Sequence, residues 1–266
     1  MGKFLGKLKN YGKLCFTFFR LNYKELEISS MDFLFGIVAK LLSYVAELLA
    51  LFFIFALVPE INGWDKYQVF FIFGLNLVSF SLWSCFFINT ITLPYYIERG
   101  EFDRFLVRPV SPLLQIMLDG FDDDSWGELL TGLVILGLAW NKLGLGFLYL
   151  PIAVIAAFSG CFIYAGISIL LGTVSFFTVA QADVADFTMQ IKEIAKYPMT
   201  IYPKALQFIF TYIFPVAFVA FFPMRMITGQ ISIYFVVLLP VAAGIFFQIA
   251  KSIWMRGLRH YGSTGT

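Results

Sequence analysis

The chain has 266 residues, of which 60% are hydrophobic and only 14% are charged. Its mean hydropathy is +0.82. Soluble domains are about 45–50% apolar and about 25% charged, so this chain has too few polar residues to cover a water-soluble surface. The composition excludes an ordinary cytosolic enzyme, a disordered chain and a nucleic-acid-binding protein. The net charge of +2 is uninformative as a total, whereas its placement is informative. The length suits an all-α bundle of about six membrane spans of about 20 residues each.

The N-terminal segment, residues 1–32, is basic and amphipathic. Phe and Leu alternate there with six cationic side chains, which are Lys3, Lys7, Lys9, Lys13, Arg20 and Lys24. Such a segment is typical of a helix that lies in the headgroup plane rather than crossing the membrane. We therefore predict a cytoplasmic amphipathic helix over residues 1–32.

Six apolar stretches predict membrane spans at about 33–58, 67–93, 126–140, 147–177, 205–222 and 231–254. The first carries Lys40 and Glu47, and a charge at mid-span costs roughly 2.5–3.5 kcal/mol. Lys40 is predicted to extend toward the interface, and Glu47 to face the bundle or a cavity. Asn76 in the second span and Pro215 in the fifth are, with Glu47, the predicted translocation-path residues.

Local signals set several of these boundaries. Pro94 is predicted to end the second span, and the Ser125-x-x-Glu128 pattern predicts a capping box at the start of the third. Four carboxylates precede that helix, Asp119, Asp122, Asp123 and Asp124. They are typical either of a divalent-metal site or, more simply, of side chains at the positive end of the helix dipole. Residues 181–204 are amphipathic and of mixed charge, and are predicted to lie outside the membrane.

The stretch 97–109 is too charged for hydrocarbon, yet its Phe and Leu residues give it an apolar side. We predict a short amphipathic helix outside the membrane, ended by Pro109 and Pro112, within a cytoplasmic region 97–112. Its opposite charges stand side by side, Glu98 with Arg99 and Asp103 with Arg104. A short rigid element of this kind suits a docking surface for a soluble partner.

The placement of Lys and Arg predicts the orientation. If both termini lie on one side, that side holds fifteen of the nineteen cationic residues, and the other side holds only Lys66, Lys142 and Arg225. Lys40 lies within the first span. This asymmetry predicts that both termini are cytoplasmic, in a multi-pass protein of the inner (plasma) membrane.

Motifs for covalent chemistry are missing from the sequence. It contains no G-x-x-x-x-G-K-[ST] phosphate loop, no GxSxG and no HExxH, and it has a single histidine, His260. Cys15, Cys85 and Cys161 are far apart and show no metal-binding spacing. We therefore predict a protein that is not an enzyme, with no catalytic residue, metal or cofactor of its own.

The run IERGEFDRFLVRPVSPLLQ at 97–115 resembles the signature of bacterial ABC-2 type transporter permeases, and in particular of their six-span members. Weaker blocks follow in the same order as in that family: Tyr197-Pro198, Ile201-Tyr202-Pro203, Pro215-Val-Ala-Phe and the closing Gly257-Leu-Arg-His-Tyr-Gly-Ser. One departure is Gly262, at a position where the family pattern has an acidic residue.

The resemblance implies an ABC-2, type V exporter-like architecture, with an N-terminal elbow helix followed by six transmembrane helices. It implies that 97–109 is the coupling helix, which docks into a groove of a cytosolic ABC ATPase. The implied coupling residues are Glu98, Arg99, Gly100, Glu101, Phe102, Asp103, Arg104 and Arg108. Two permease subunits, identical or homologous, would pair with two ATPase subunits that bind ATP and Mg, and the segment 223–229 would help form the extracellular gate.

Two other functions remain open from the residues alone. Glu47, Lys40 and the proline-broken segments near Pro198, Pro203 and Pro215 are also typical of a stand-alone secondary transporter or channel, although no internal repeat is evident. An assembly or anchoring subunit without transport of its own is the third reading.

Overall fold

The computed structural model describes residues 30–120, 122, 125–177 and 184–262, and most of these residues are helical. The predicted elbow helix at 1–32 lies outside the described residues except for positions 30–32, which begin the first long helix. The elements in chain order are α1 (Ser30–Leu57), β1 (Glu60–Ile61), β2 (Trp64–Asp65), α2 (Lys66–Phe87), α3 (Leu93–Glu98), α4 (Asp103–Leu106), α5 (Pro112–Met117), α6 (Ser125–Lys142), α7 (Leu150–Thr173), α8 (Val184–Ala195), α9 (Lys204–Phe208), α10 (Phe221–Ile227) and α11 (Leu238–Leu258).

Four continuous helices in the described part of the chain are long and apolar enough to cross a membrane, namely Phe35–Leu57, Lys66–Glu98, Phe147–Phe176 and Ile233–Leu258. This agrees with an all-α membrane protein. The predicted third span is also helical, as the 18 residues of α6, but it is less apolar than these four because it carries Glu128 and Lys142. The count of six spans stays a prediction.

The second long helix does not stop at Pro94. It runs through α2, a 3-10 segment at Ile88–Thr92 and then α3, with Pro94 in the first turn of α3. Proline is tolerated at this position because the first N–H groups of a helix have no intrahelical acceptor. The helix therefore continues to Glu98, five residues past the predicted boundary at 93.

The centre of the bundle is α2, which packs on α6 and α7. Small residues permit the close approach of these helices. At Gly160 of α7, an added Cβ would lie 2.6 Å from Cβ of Ser79 in α2. The two backbones can thus meet only because residue 160 lacks a side chain.

Substituting Gly160→Ala is expected to lower the free energy of unfolding by about 1–3 kcal/mol, because the new methyl group overlaps Ser79. Gly137→Ala is the matched control, since a Cβ there meets no atom within 4 Å and lies on a helix surface. Equilibrium unfolding in mixed micelles measures both. Equal stability of the two variants would contradict the close contact.

The bundle has two ends that are far apart. Trp64 directly precedes the helix Lys66–Glu98 and Phe102 follows it, and 33 residues span roughly 50 Å at about 1.5 Å per residue. We call these the Trp64 end and the Phe102 end. The β1–β2 hairpin lies at the Trp64 end.

Helix α8 lies between these ends. Before it, the ring of Phe176 is 5.4 Å from that of Phe102. After it, the hydroxyl oxygen of Thr200 accepts a hydrogen bond of 2.8 Å from the indole N–H of Trp64. The chain therefore passes from the Phe102 end to the Trp64 end between residues 176 and 200. Residues 181–204 were predicted to lie outside the membrane, and their described part, 184–204, packs along the bundle, where Lys192 and Lys196 are paired with Glu128 and Glu47.

The predicted fifth span, 205–222, is not one straight helix. Its two arms, Lys204–Ile213 and Val216–Ile227, meet at 79°. Pro215 lies at the break and cannot donate a backbone hydrogen bond. The first arm begins four residues after Thr200, and in the second arm the ring of Phe221 is 5.7 Å from Trp64. The chain thus contacts the Trp64 end just before the first arm and again within the second.

Candidate functional site

The predicted docking region is a compact charged turn rather than one helix. Helix α3 ends at Glu98, and Gly100 has φ +68°, a left-handed conformation that favours glycine. The backbone N–H of Phe102 then donates to the carbonyl oxygen of Tyr96 at 3.0 Å, which folds the chain back before the single turn of α4. We call residues 97–112 the charged turn.

The inner side of the charged turn is an aromatic and aliphatic core. Phe102 and Phe105 are 0% and 1% exposed, and Ile97 is also buried. They pack with Phe176 and with Trp254 of α11. Phe102, predicted as a coupling residue, is thus inaccessible to a partner and serves instead to hold the turn on the bundle.

The outer side of the charged turn carries most of the predicted coupling residues. Glu98, Arg99, Arg104 and Arg108 are exposed, whereas Gly100, Glu101 and Asp103 are half-buried. The guanidinium of Arg99 lies 4.0 Å from the ring centre of Tyr95. Exposed apolar side chains at Leu106 and Val107, which the sequence did not single out, lie between these charges. Mixed charge around an apolar tip suits a protein-docking surface.

The guanidinium of Arg104 pairs with the carboxylates of two residues that are not adjacent to it in the sequence. Its guanidinium lies 3.0 Å from Asp119 and 3.8 Å from Glu101. The hydroxyl of Tyr96 donates to Asp119 at 2.9 Å. An exposed ion pair adds little stability, about 0–1 kcal/mol. Its role here is to fix the orientation of α4 against the segment that follows α5.

A second cluster, which sequence reasoning missed, lies inside the bundle. Lys192 of α8 forms an ion pair with Glu128 of α6, and the ammonium also donates to the hydroxyl of Tyr44 in α1 at 2.7 Å. The Tyr44 hydroxyl in turn donates to Glu128. All three residues are at most 5% exposed. Glu128 thus faces the interior, which corrects the predicted role of its side chain as a helix cap.

Asn76 belongs to the same cluster. Its amide donates to the carbonyl oxygen of Lys192 at 3.1 Å, and its carbonyl oxygen accepts from the hydroxyl of Tyr164 at 2.6 Å. Asn76 is 0% exposed. It joins α2, α7 and α8, and in this conformation it lines no open path.

Glu47 belongs to a third group of charged side chains, which lies at the edge of the bundle. Its carboxylate lies 2.6 Å from the ammonium of Lys196, which is also 2.6 Å from Glu193. Lys196 is 1% exposed by side chain, whereas Glu47 and Glu193 are 40% and 56% exposed. Glu47 therefore has the bundle-facing partner that its position predicted. The third predicted path residue, Pro215, is buried at the break between the two arms.

The signal for the interior cluster was present in the sequence, but it was divided between distant segments. Lys192 lies in the last turn of α8 and Lys196 directly follows that helix, four residues further along the chain. Their carboxylate partners, Glu128 and Glu47, lie in other spans. The partners of the two pairs are 64 and 149 positions apart in the sequence. No local sequence pattern therefore predicts either pair.

The acidic residues before α6 form no metal centre in the described part of the chain, where no group of three or more His, Cys, Asp or Glu residues could hold an ion. Asp122 instead accepts hydrogen bonds from the hydroxyls of Ser84, at 2.8 Å, and Ser125. Asp123 and Asp124 lie outside the described residues.

Long apolar helices with a charged turn at one end define a polytopic membrane protein. Because the charged turn is packed firmly on the helices, a displacement of the turn can be transmitted to them. Residues 41–265 match the family model described as ABC-2 family transporter protein, and the chain belongs to that family. This confirms the resemblance seen at 97–115. Searches of the curated proteins and of the solved structures returned no match.

Proposed function

We propose that this chain is the permease subunit of an ATP-binding cassette exporter. It forms the translocation path in the inner (plasma) membrane and pairs with a second permease subunit and two cytosolic ATPases, which bind and hydrolyse ATP. Membership of the ABC-2 transporter family supports the permease role. The observation that carries the coupling role is the charged turn, which is exposed on its outer side and fixed to the bundle on its inner side.

The contacts also support six crossings with the fifth reassigned. Helix α8 and the residues up to 201 form the fifth crossing, and the bent segment 204–227 is re-entrant. Lys204 then joins the Trp64 end, and Lys192 and Lys196 lie within the bundle. Among the described residues, the Phe102 end then holds six Lys and Arg residues and the Trp64 end holds four. The Phe102 end therefore remains the cytoplasmic end by the positive-inside rule.

Force must cross from a soluble ATPase to lipid-embedded helices through a rigid contact. The buried base at Phe102 and Phe105 gives the charged turn this rigidity, because close-packed aromatic side chains transmit displacement. Exposed Arg99 and Arg108 offer charge-assisted hydrogen bonds to the partner.

Reversing the outer charges with Arg99→Glu and Arg108→Glu is expected to reduce the amount of ATPase that co-purifies with the chain about tenfold or more, because like charges across an interface cost several kcal/mol. Lys142→Glu, an exposed reversal at the Trp64 end, is the matched control and is expected to retain the ATPase. Undiminished co-purification of the double variant would contradict docking at the charged turn.

A stand-alone secondary transporter is the second candidate. It is favoured by the buried Lys192–Glu128 pair and by the break at Pro215, since ionisable groups and broken helices inside a membrane mark ion pathways. Liposomes that contain this chain alone distinguish the two functions. Transport driven by an ion gradient without the ATPase would establish the second candidate over the first.

A further inference from the structure

The closing segment 257–261, which the resemblance singled out without giving it a role, folds back onto the charged turn. Gly257 lies so close to the end of α7 that an added Cβ would be 2.7 Å from Cγ2 of Thr173. Four residues later, the ring of Tyr261 is 4.8 Å from that of Phe102. The Tyr261 hydroxyl donates to Oδ1 of Asp103 at 3.0 Å.

Four aromatic rings surround Phe102, and two of them belong to the end of α11 and its tail. Their centres lie 4.8 Å (Tyr261), 5.4 Å (Phe176), 6.2 Å (Phe105) and 6.4 Å (Trp254) from that of Phe102. Such edge-to-face pairs contribute about 0.5–1.5 kcal/mol each beyond their buried area. We call Phe102, Asp103, Trp254 and Tyr261 the tail clasp.

The tail clasp joins two parts of the chain that no short backbone connection links. Asp103 and Tyr261 are separated by 158 positions in sequence. The charged turn is covalently attached to α3 on one side and α5 on the other, so its direct backbone connection is to the second helix. Its attachment to the last helix depends entirely on side chains.

Helix α11 is placed to respond to this attachment. Only six of the 21 residues of α11 are buried within the chain. Its packing within the chain is mainly against α7, and most of its outward surface lies free for lipid or for a second subunit. Few contacts within the chain therefore oppose a displacement of the cytoplasmic end of α11 toward its outer side.

We propose that the tail clasp makes the charged turn and the cytoplasmic end of α11 move as one body, so that the displacement produced by the ATPase reaches the last helix as well as the second. This inference rests on the proposed function. Phe102 and Tyr261 are thereby positioning residues, which act through the exposed residues that meet the ATPase.

The hydrogen bond of the tail clasp is maintained at physiological pH. Burial, followed by the hydrogen bond to Asp103, raises the pKa of Tyr261 to about 12. The folded state thus favours the protonated phenol of Tyr261. The stabilisation that this phenol gives the folded state is complete below about pH 10 and is lost as the pH rises toward 12. The Tyr261 hydroxyl remains a donor throughout the range in which an ATPase works.

Distances between spin labels in the complex with the ATPase test the proposal without knowledge of the substrate. Three exposed positions receive labels on a cysteine-free background, through Ser111→Cys at the charged turn, Arg259→Cys in the tail and Lys142→Cys at the Trp64 end. Each pair is measured without nucleotide and after trapping with ATP and vanadate. We expect the 111–142 distance to change and the 111–259 distance to stay within the width of its nucleotide-free distribution.

Two variants then weaken the contacts of the tail clasp. Tyr261→Phe removes only the hydrogen bond, and Phe102→Leu loosens the ring packing while keeping an apolar core. Both are expected to broaden the 111–259 distribution after trapping. Tyr234→Phe, at a side chain that is 85% exposed at the start of the last span, is the matched control and is expected to behave as the parent.

The outcomes separate the inference from the proposed function. If the 111–259 distance of the parent changes with nucleotide as much as the 111–142 distance, the turn and α11 do not move together and the inference is wrong, while the exporter function stands. A narrow 111–259 distribution in both clasp variants also overturns it. If the ATPase neither binds nor changes any distance, the proposed function itself fails.

Discussion

Replacing Lys192 by Met is expected to lower the free energy of unfolding by about 3–5 kcal/mol. Lys192 is 6% exposed by side chain and Glu128 1%. The variant leaves a carboxylate in the interior without its cation. The tyrosine hydroxyl that remains, from Tyr44, cannot neutralise it.

Equilibrium unfolding in mixed micelles measures this loss, and two further variants assign it. Lys251→Met removes an exposed cation from α11 and is expected to change stability by less than about 0.5 kcal/mol. The double substitution Glu128→Gln with Lys192→Met removes both charges, and it is expected to recover most of the loss, since an apolar replacement of a buried pair is often neutral. A double variant as unstable as Lys192→Met alone would show that the ion pair is not the cause.

The same pair constrains how the proposed transport cycle proceeds. It joins α1, α6 and α8 at one point, and Asn76 adds α2 and α7 through its two hydrogen bonds. Helix α8 cannot separate from α6 unless both charges are rehydrated or find new partners. A path that opens along α8 therefore carries Lys192 and Glu128 together, or opens where water reaches them.

The apolar spans were predictable from the sequence because their length and hydropathy are local properties. α1, α2, α7 and α11 lie where the apolar stretches predicted them. The packing of α8 inside the bundle was not predictable, because its charges argue against lipid until their partners in distant helices are known. The apolar stretch 205–222 predicts a straight span, whereas the two arms meet at 79°, because apolar length does not distinguish a straight helix from one bent at Pro215.

The candidate docking site was predictable in composition but not in shape. The charges of 97–109 marked it as a region outside the membrane, and Glu98, Arg99, Arg104 and Arg108 are exposed. The turn at Gly100 and the burial of Phe102 depend on contacts with Phe176 and Tyr261, which follow 74 and more residues later. No pattern within the region itself reveals them.

Phe102→Ala is expected to have the second large effect, a loss of about 3–5 kcal/mol, because it leaves a cavity among closely packed rings. Phe102 is 0% exposed. Phe147→Ala is the matched control, since Phe147 is 90% exposed and its truncation opens no cavity within the chain. The same unfolding measurement compares them.

Limited trypsin digestion shows whether that loss is concentrated at the charged turn. Phe102 lies between Arg99 and Arg104 in the charged turn, so its removal is expected to accelerate cleavage after these two residues, because local opening precedes proteolysis. Cleavage after Lys142, at the other end of the bundle, is expected to keep its rate. If all three sites became equally susceptible, Phe102 would stabilise the bundle as a whole, and the charged turn would not be a separately anchored element.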